Sequence, residues 1–266
     1  MTDLPDRGRL EEAIIRRFWE RQSQKADDPR STTLDTNPVA RVAREVGCYQ
    51  RWMLRNLSAL GCSWRRVADL ACGNGDWSVV LARQAEHLFA IDLTPGFVEH
   101  CERRLASGGY GGRVTVSVGD LTRCELPTEL DLAVVGAVLQ YIDDDEVPRV
   151  LQRVHAALAP GGLLYMRTTV ARGRERIANR TSEYQAAYRP LPFFTEALAR
   201  CGFTVAAAAT TERVVPEETI RSLVGPMYRW IGPVITLPYR LGWRLDRARR
   251  STDVWACVAR RSVDVR

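Results

Sequence analysis

The 266-residue chain predicts an α/β domain built on a mostly parallel sheet. Three observations carry this. From Arg66 onward, short apolar runs alternate with stretches of helical periodicity, the pattern of βαβ units. Three of the apolar runs lead into an acid or a glycine before the next helix. Apolar residues make up 45% and charged residues 26% of the chain, enough to fill one generous core.

The elements follow in order. Over 9–25, Leu10, Ile14, Phe18 and Trp19 fall on one helical face. The stretch 26–38, rich in Asp, Pro, Ser and Thr, reads as a loop, and a second helix covers 39–60 up to the stop at Gly61. VADLAC at 67–72 is the first strand, with a helix after Asp76, and LFAID at 88–92 the second, with a helix over 95–106. VTVSVGD at 114–120 and LDLAVVG at 130–136 are strands three and four; a helix over 145–158 leads to LLYMRT at 163–168. A helix over 190–200 ends at Gly202; FTVAAAAT and DVWACVAR, at 203–210 and 253–260, complete seven strands. The first 63 residues are expected to be helices covering the active site, with 64–266 as the core domain.

The linking stretch 213–252 is far longer than the usual connection of ~4–6 residues. It carries many apolar residues, among them Met227, Trp230, Val234, Tyr239 and Trp243, punctuated by Pro226, Pro233 and Pro238. So much apolar surface must be covered. It is expected to fold down as a cap-like insertion over an acceptor pocket, with an element lying on a membrane surface as the alternative.

Charge is uneven. From Arg213 to Arg266 there are eleven arginines against five acids, a surplus of six that equals the net charge of the whole chain. Such a basic segment suits a solvated face, an acidic substrate, nucleic acid or an anionic membrane. Seven scattered cysteines without a Cys-x-x-Cys pair suggest neither a disulfide framework nor a metal site. With a charged N-terminus and no run of ~18 apolar residues, a cytoplasmic protein is expected.

The strongest signal is VADLACGNGDW at 67–77. A buried strand carries Asp69, and Ala71, Gly73 and Gly75 follow at alternate positions before a helix opens. Glycines there let the backbone turn sharply and pass close to a ligand. A dinucleotide-type G-x-G-x-x-G reading fails because Ser78 stands at its third glycine. Asp92 ends the second strand seventeen residues after Gly75, and Asp120 ends the third. An ionised carboxylate offers only acceptors, which suits it to the paired hydroxyls of a ribose. Each acid taken alone could equally be a helix N-cap.

Taken together these residues resemble the class I S-adenosylmethionine-dependent methyltransferases. Their acid-x-Gly-x-Gly-x-Gly motif is matched by DLACGNG with Ala71 in place of the first glycine, and the resemblance spans about 64–205. It implies a seven-stranded Rossmann-like sheet with helices on both faces and an antiparallel last strand. S-adenosylmethionine is the implied cofactor, with S-adenosylhomocysteine as product. The implied cofactor residues are Asp69, Ala71, Gly73, Gly75, Asp92, Leu93, Asp120, Leu121 and Gly136, with Asp120 meeting the adenine amino group.

Acceptor residues should lie in the loops beyond the carboxyl ends of the strands. Gln140 and Tyr141 follow the fourth strand, where the Asn/Asp-Pro-Pro-Tyr of amino-methylating DNA and RNA enzymes is missing. Arg167 ends the fifth. The segment 167–194 resembles that of bacterial small-molecule and sugar methyltransferases, and makes Tyr184, Tyr188 and Arg189 candidates for the pocket. If that piece is helical, the two tyrosines share one face; packing onto the sheet is their alternative role. None of His87, His100 or His155 maps to the cleft, so Tyr184, Tyr188 or Glu183 would have to assist a hydroxyl acceptor. A neutral amine needs positioning for in-line displacement rather than a strong base. The expected activity is methyl transfer to an oxygen or nitrogen of a small molecule in bacterial secondary metabolism, with no metal. A lipid acceptor at a membrane surface, an RNA acceptor and a non-catalytic cofactor-binding module are the alternatives.

Overall fold

The computed structural model describes residues 9–32, 39–230, 232, 234, 236–238, 240 and 251–262. Two helices, α1 (Glu12–Ser23) and α2 (Val39–Ala59), precede the sheet. Then come β1 (Arg66–Leu70), α3 (Asp76–Ala82), β2 (His87–Asp92), α4 (Pro95–Ser107), β3 (Val114–Val118), β4 (Leu130–Gly136), α5 (Glu146–Ala157) and β5 (Leu158–Ala171). The second half contains β6 (Ile177–Arg180), β7 (Gln185–Pro190), α6 (Leu191–Arg200), β8 (Phe203–Thr210), α7 (Thr211–Val224) and β9 (Thr252–Arg261).

β3, β2, β1, β4 and β5 lie side by side and parallel. β9 runs antiparallel between β5 and β8. These are the seven strands expected, with the last one antiparallel. Their burial follows from composition: β4 (LDLAVVG) is apolar almost throughout and sits in the middle of the sheet, buried at every residue up to Gly136. Buried on both faces, it needs no polar alternation. Helix α5 instead shows Val147, Val150, Leu151 and Val154 on one buried stripe, the spacing of an amphipathic helix. Helices α5 and α6 pack on one face of the sheet, and α2, α3, α4 and α7 on the other.

Two segments take a form that the sequence left open. The segment 177–190 is not helical. It forms the antiparallel pair β6–β7, and β7 joins the end of β5 through Val170 and Ala171. Tyr184 and Tyr188 still meet, because a spacing of four puts two side chains on one face of an extended strand as well as of a helix.

The second concerns 213–252. Helix α7 lies against α2, where Tyr49 and Thr211 share a 2.6 Å hydroxyl hydrogen bond and Arg55 pairs with the buried Glu218. It ends at Gly225, whose φ of +56° breaks the helix before Pro226. Beyond it, Tyr228, Gly232 and Thr236 face the protein at helical spacing. Met227, Trp230, Val234 and Leu237 point outward, with Trp230 and Val234 each 74% exposed. The side of the domain that this segment covers is therefore the α2 side. Tyr239 and Trp243 lie outside the described residues.

Candidate functional site

A cavity of about 560 Å³ opens at the carboxyl ends of the parallel strands, and each wall comes from a different strand tip. Such a volume suits a cofactor with part of an acceptor. Ala71, Cys72, Gly73 and Asn74 after β1, Asp92 to Thr94 after β2, Gly119 to Thr122 after β3, Gly136 to Val138 after β4, and Arg167 on β5 all line it.

The loop after β1 turns through three left-handed residues, Ala71 at φ +67°, Gly73 at +53° and Gly75 at +81°. Only glycine adopts this region without a steric cost, and Ala71 bears that cost at the place where the methyltransferase motif has its first glycine. The two glycines differ in role. Gly73 lines the cavity, and a Cβ there would come within 2.7 Å of Thr32. Gly75 does not line it; a Cβ there would lie 3.2 Å from the Cα of Cys101 on α4. Its bareness lets α3 and α4 pack closely.

Asp69 likewise lies outside the cavity lining. It is buried beneath the loop, and its carboxylate accepts a 2.6 Å hydrogen bond from the Ser78 hydroxyl. Burial, reinforced by the nearby Asp92, pushes its carboxyl up to about 7. Ser78, which spoils the dinucleotide pattern, is thus the residue that ties α3 to β1.

Asp92 does face the cavity. Its Oδ2 accepts the Gly73 amide at 2.8 Å and its Oδ1 the Thr94 amide at 2.9 Å. An ionised carboxylate offers only acceptors, the chemistry a ligand hydroxyl needs. Burial raises its pKa, opposed by these backbone donors. Asp120 accepts both the amide and the hydroxyl of Thr122, at 2.8 and 2.7 Å, and borders the cavity with Leu121. Leu93, Ala71 and Gly136 line it too.

The acceptor candidates divide. Tyr141 lines the cavity and meets Trp19 edge-on at 5.0 Å, while burial raises its phenol to about 12. Tyr184 and Tyr188 do not line it. Their hydroxyls share a 3.0 Å hydrogen bond, and Tyr184 donates to Tyr141 at 3.3 Å behind the cavity wall. Burial raises the Tyr184 phenol further from neutrality, so it is no base at neutral pH. Gln140 is also withdrawn: its amide donates to the Ala137 carbonyl at 2.8 Å and accepts from Thr168 at 3.3 Å, bracing a turn in which Ala137 has φ +56°. Arg189 is only 1% exposed, paired to Asp144 at 2.7 Å and donating to the carbonyls of Leu139 and Ile142. It pins the β4–α5 loop and has no face toward the cavity.

The sequence reading set the N-terminal helices over the site without naming which of their residues face it, and it did not name Trp77, Phe97, Asp143 or Glu146. Leu10, Glu12, Ile15 and Trp19 of the α1 region close one side, and Trp77, Phe97, Asp143 and Glu146 also line the cavity. The Leu10 amide donates to Asp143 at 2.8 Å and the Glu11 amide to Gln185 at 2.8 Å, which fixes α1 over the opening. Helix α2 contributes no lining residue and packs instead with α3 and α7. Both N-terminal helices were expected over the site; α1 borders the cavity and α2 does not. None of the three histidines and none of the described residues of 213–252 reaches the cavity, so the capping placement of that segment finds no contact among the described residues.

These residues fit S-adenosylmethionine: acceptors for a ribose at β2, a second acid at β3, a bare glycine turn at β1, and Trp77 and Phe97 as aromatic walls. Residues 67–162 match a family model described as a methyltransferase domain. Phosphoethanolamine N-methyltransferase 1 of Triticum aestivum is 24% identical over 206 residues, 73% of this chain and 37% of that protein. The aclacinomycin 10-hydroxylase of Streptomyces purpurascens is 35% identical over 102 residues, 38% of this chain and 27% of that one. The chain thus spans well under half the length of these two relatives. Among solved structures, phosphoethanolamine N-methyltransferase 1 of Haemonchus contortus aligns with a TM-score of 0.67 at 16% identity, covering 99% of this chain and 52% of that one. A [4+2]-cyclase aligns at 0.58 and 19% identity, covering 80% and 82%. Residues 67–162 thus match a methyltransferase domain, and the chain has the fold of the class I S-adenosylmethionine-dependent methyltransferases.

Proposed function

We propose that this chain transfers the methyl group of S-adenosylmethionine to an oxygen or nitrogen of a small-molecule acceptor, in bacterial secondary metabolism. The supporting observation is that Gly73, Asp92 and Asp120, at three successive strand tips, border one cavity. When bound, the cofactor supplies an electrophilic methyl group. The protein's part is to hold the nucleoside at β2 and β3, exclude water with the α1 side chains, and align the acceptor. With Tyr184 behind the wall and no histidine present, the carboxylates of Glu12, Asp143 and Glu146 are the lining groups left to accept a proton.

Two relatives named above are a hydroxylase and a cyclase, so cofactor binding alone does not establish methyl transfer. The test therefore has two readouts. S-adenosylhomocysteine should raise the melting temperature while nicotinamide dinucleotides do not; stabilisation by the dinucleotide alone would overturn the cofactor assignment. Labelled methyl from S-adenosylmethionine should then appear in a small-molecule fraction of a cell extract. Binding without any transfer would leave a non-catalytic or non-methylating module.

A second reading, an acceptor met at a membrane surface, is favoured by the outward stripe of Met227, Trp230, Val234 and Leu237. Residues 221–250 hold seven arginines and one acid, Asp246, which is complementary to anionic lipid. No described helix is long and apolar enough to cross a membrane. Under this reading the protein pellets with vesicles of anionic phospholipid, less with zwitterionic ones, and Trp230→Ser with Val234→Ser releases it. A protein that stays in the supernatant with both vesicle types has no such surface.

A further inference from the structure

Arg167 stands out among the cations of the cavity. Arg9 pairs with Asp145 at 3.4 Å, and Arg123 with Glu12 at 3.2 Å. The Arg167 side chain has no carboxylate partner and no hydrogen bond among the described residues, and its Nε is buried without an acceptor. Its guanidinium is held in place by two aromatic rings, 5.2 Å from the centroid of Trp77 on α3 and 5.6 Å from that of Tyr49 on α2. Tyr49 is itself fixed by hydrogen bonds to Thr211 and to the Val254 carbonyl.

A guanidinium carries five donors in a rigid fork suited to carboxylate and phosphate oxygens. A buried donor left unmade costs free energy, and aromatic rings orient the cation without using those donors. The opposite end of the cavity has the opposite character. At the tips of β2 and β3, Asp92 and Asp120 present acceptors, so a ligand's donors belong there and an anionic group belongs at Arg167. The strand order β3-β2-β1-β4-β5 separates the two ends by three to four strands, or ~14–19 Å at ~4.8 Å per strand. The long arginine side chain shortens that span by reaching back to Trp77.

The geometry points to Arg167 as the anion-binding group of this site, receiving a carboxylate or phosphate from the bound ligands. This rests on the cofactor reading above. Two sources share that chemistry: the amino-acid carboxylate of the cofactor, and an acidic group on the acceptor.

Calorimetry on wild type, Arg167→Gln and Arg167→Lys distinguishes them. If the cofactor is the source, Arg167→Gln weakens S-adenosylhomocysteine by roughly ten- to a hundredfold. A thioether analogue lacking the carboxylate then binds both proteins equally. If the acceptor is the source, S-adenosylhomocysteine affinity is unchanged. Inorganic phosphate or malonate then binds the S-adenosylhomocysteine-saturated wild type at constant ionic strength, at least tenfold weaker in Arg167→Gln. Arg167→Lys keeps the charge without the fork and recovers part of either effect; it also serves if the glutamine variant does not fold. The assignment is overturned if neither S-adenosylhomocysteine nor the anion probes distinguish wild type from the folded variants. Wild type that fails to bind S-adenosylhomocysteine at all defeats the cofactor reading instead, a separate result.

Discussion

Replacing Asp92 with alanine is expected to lower affinity for S-adenosylhomocysteine by at least ten- to a hundredfold. The carboxylate is at once the acceptor for ligand hydroxyls and the anchor of the glycine turn through the Gly73 amide, with the Thr94 amide held on its other oxygen. Hydrogen bonds to a charged group are worth ~1.5–3 kcal/mol each, and ~1.4 kcal/mol is a decade of affinity. Asp92→Asn retains one carbonyl acceptor and should fall between the two. Because burial raises the Asp92 pKa, wild-type affinity should also decline toward acid pH, as the acceptor becomes protonated. Calorimetry on folded variants decides it: a Kd in Asp92→Ala equal to wild type removes this residue from the site.

The second large effect concerns stability. Asp69 is held up to about 7, against the ordinary 3.8 of an aspartate, chiefly by burial. A carboxyl whose folded pKa is raised stabilises the native state fully below the unfolded pKa. That contribution is lost as pH rises through the folded one. The window runs from about pH 4 to pH 7. Over it the wild type should lose about 3–4 kcal/mol through this group, since each tenfold change in proton affinity is worth ~1.36 kcal/mol. Asp69→Asn cannot ionise and lacks this slope, although its amide imposes a pH-independent cost beside Ser78. Urea unfolding at pH 4, 6 and 8 should show the variant gaining on wild type as pH rises. Parallel pH profiles for the two proteins would mean that Asp69 ionises in the native state as freely as in the unfolded one.

Asp69 also shows how far the site was legible in the sequence. The motif located the loop correctly, but the acid turned out to support the turn from below, through Ser78. Gly75 follows the same logic, its bareness admitting close packing of α3 on α4. A one-dimensional pattern reports that a residue type is required at a position and leaves open whether the reason lies above the loop or beneath it. Arg189 is the sharper case. An arginine close to a pair of tyrosines, in a segment expected beside the acceptor, invites a substrate role. Its burial against Asp144 and two carbonyls depends on where the β4–α5 loop passes.

What the sequence determined by itself is local and ordered along the chain. The alternation of strand and helix, the seven-strand sheet, the left-handed turn at Gly73 and the acids at the tips of β2 and β3 all follow from periods of 2 and 3.6 and from the conformational range of glycine. The tertiary structure decided which surfaces meet. Of the two N-terminal helices expected over the site, it brought α1 to the cavity and left α2 to the sheet. It made a strand pair of 177–190 because the edge of β5 beyond β4 was open to pairing. It laid α7 on α2 through Tyr49–Thr211 and Arg55–Glu218, away from the cavity. It also left Arg167 between two rings with its donors unmet. Each of these depends on contacts between residues far apart in the chain, where an apolar face or a charge is visible in advance but its partner is not.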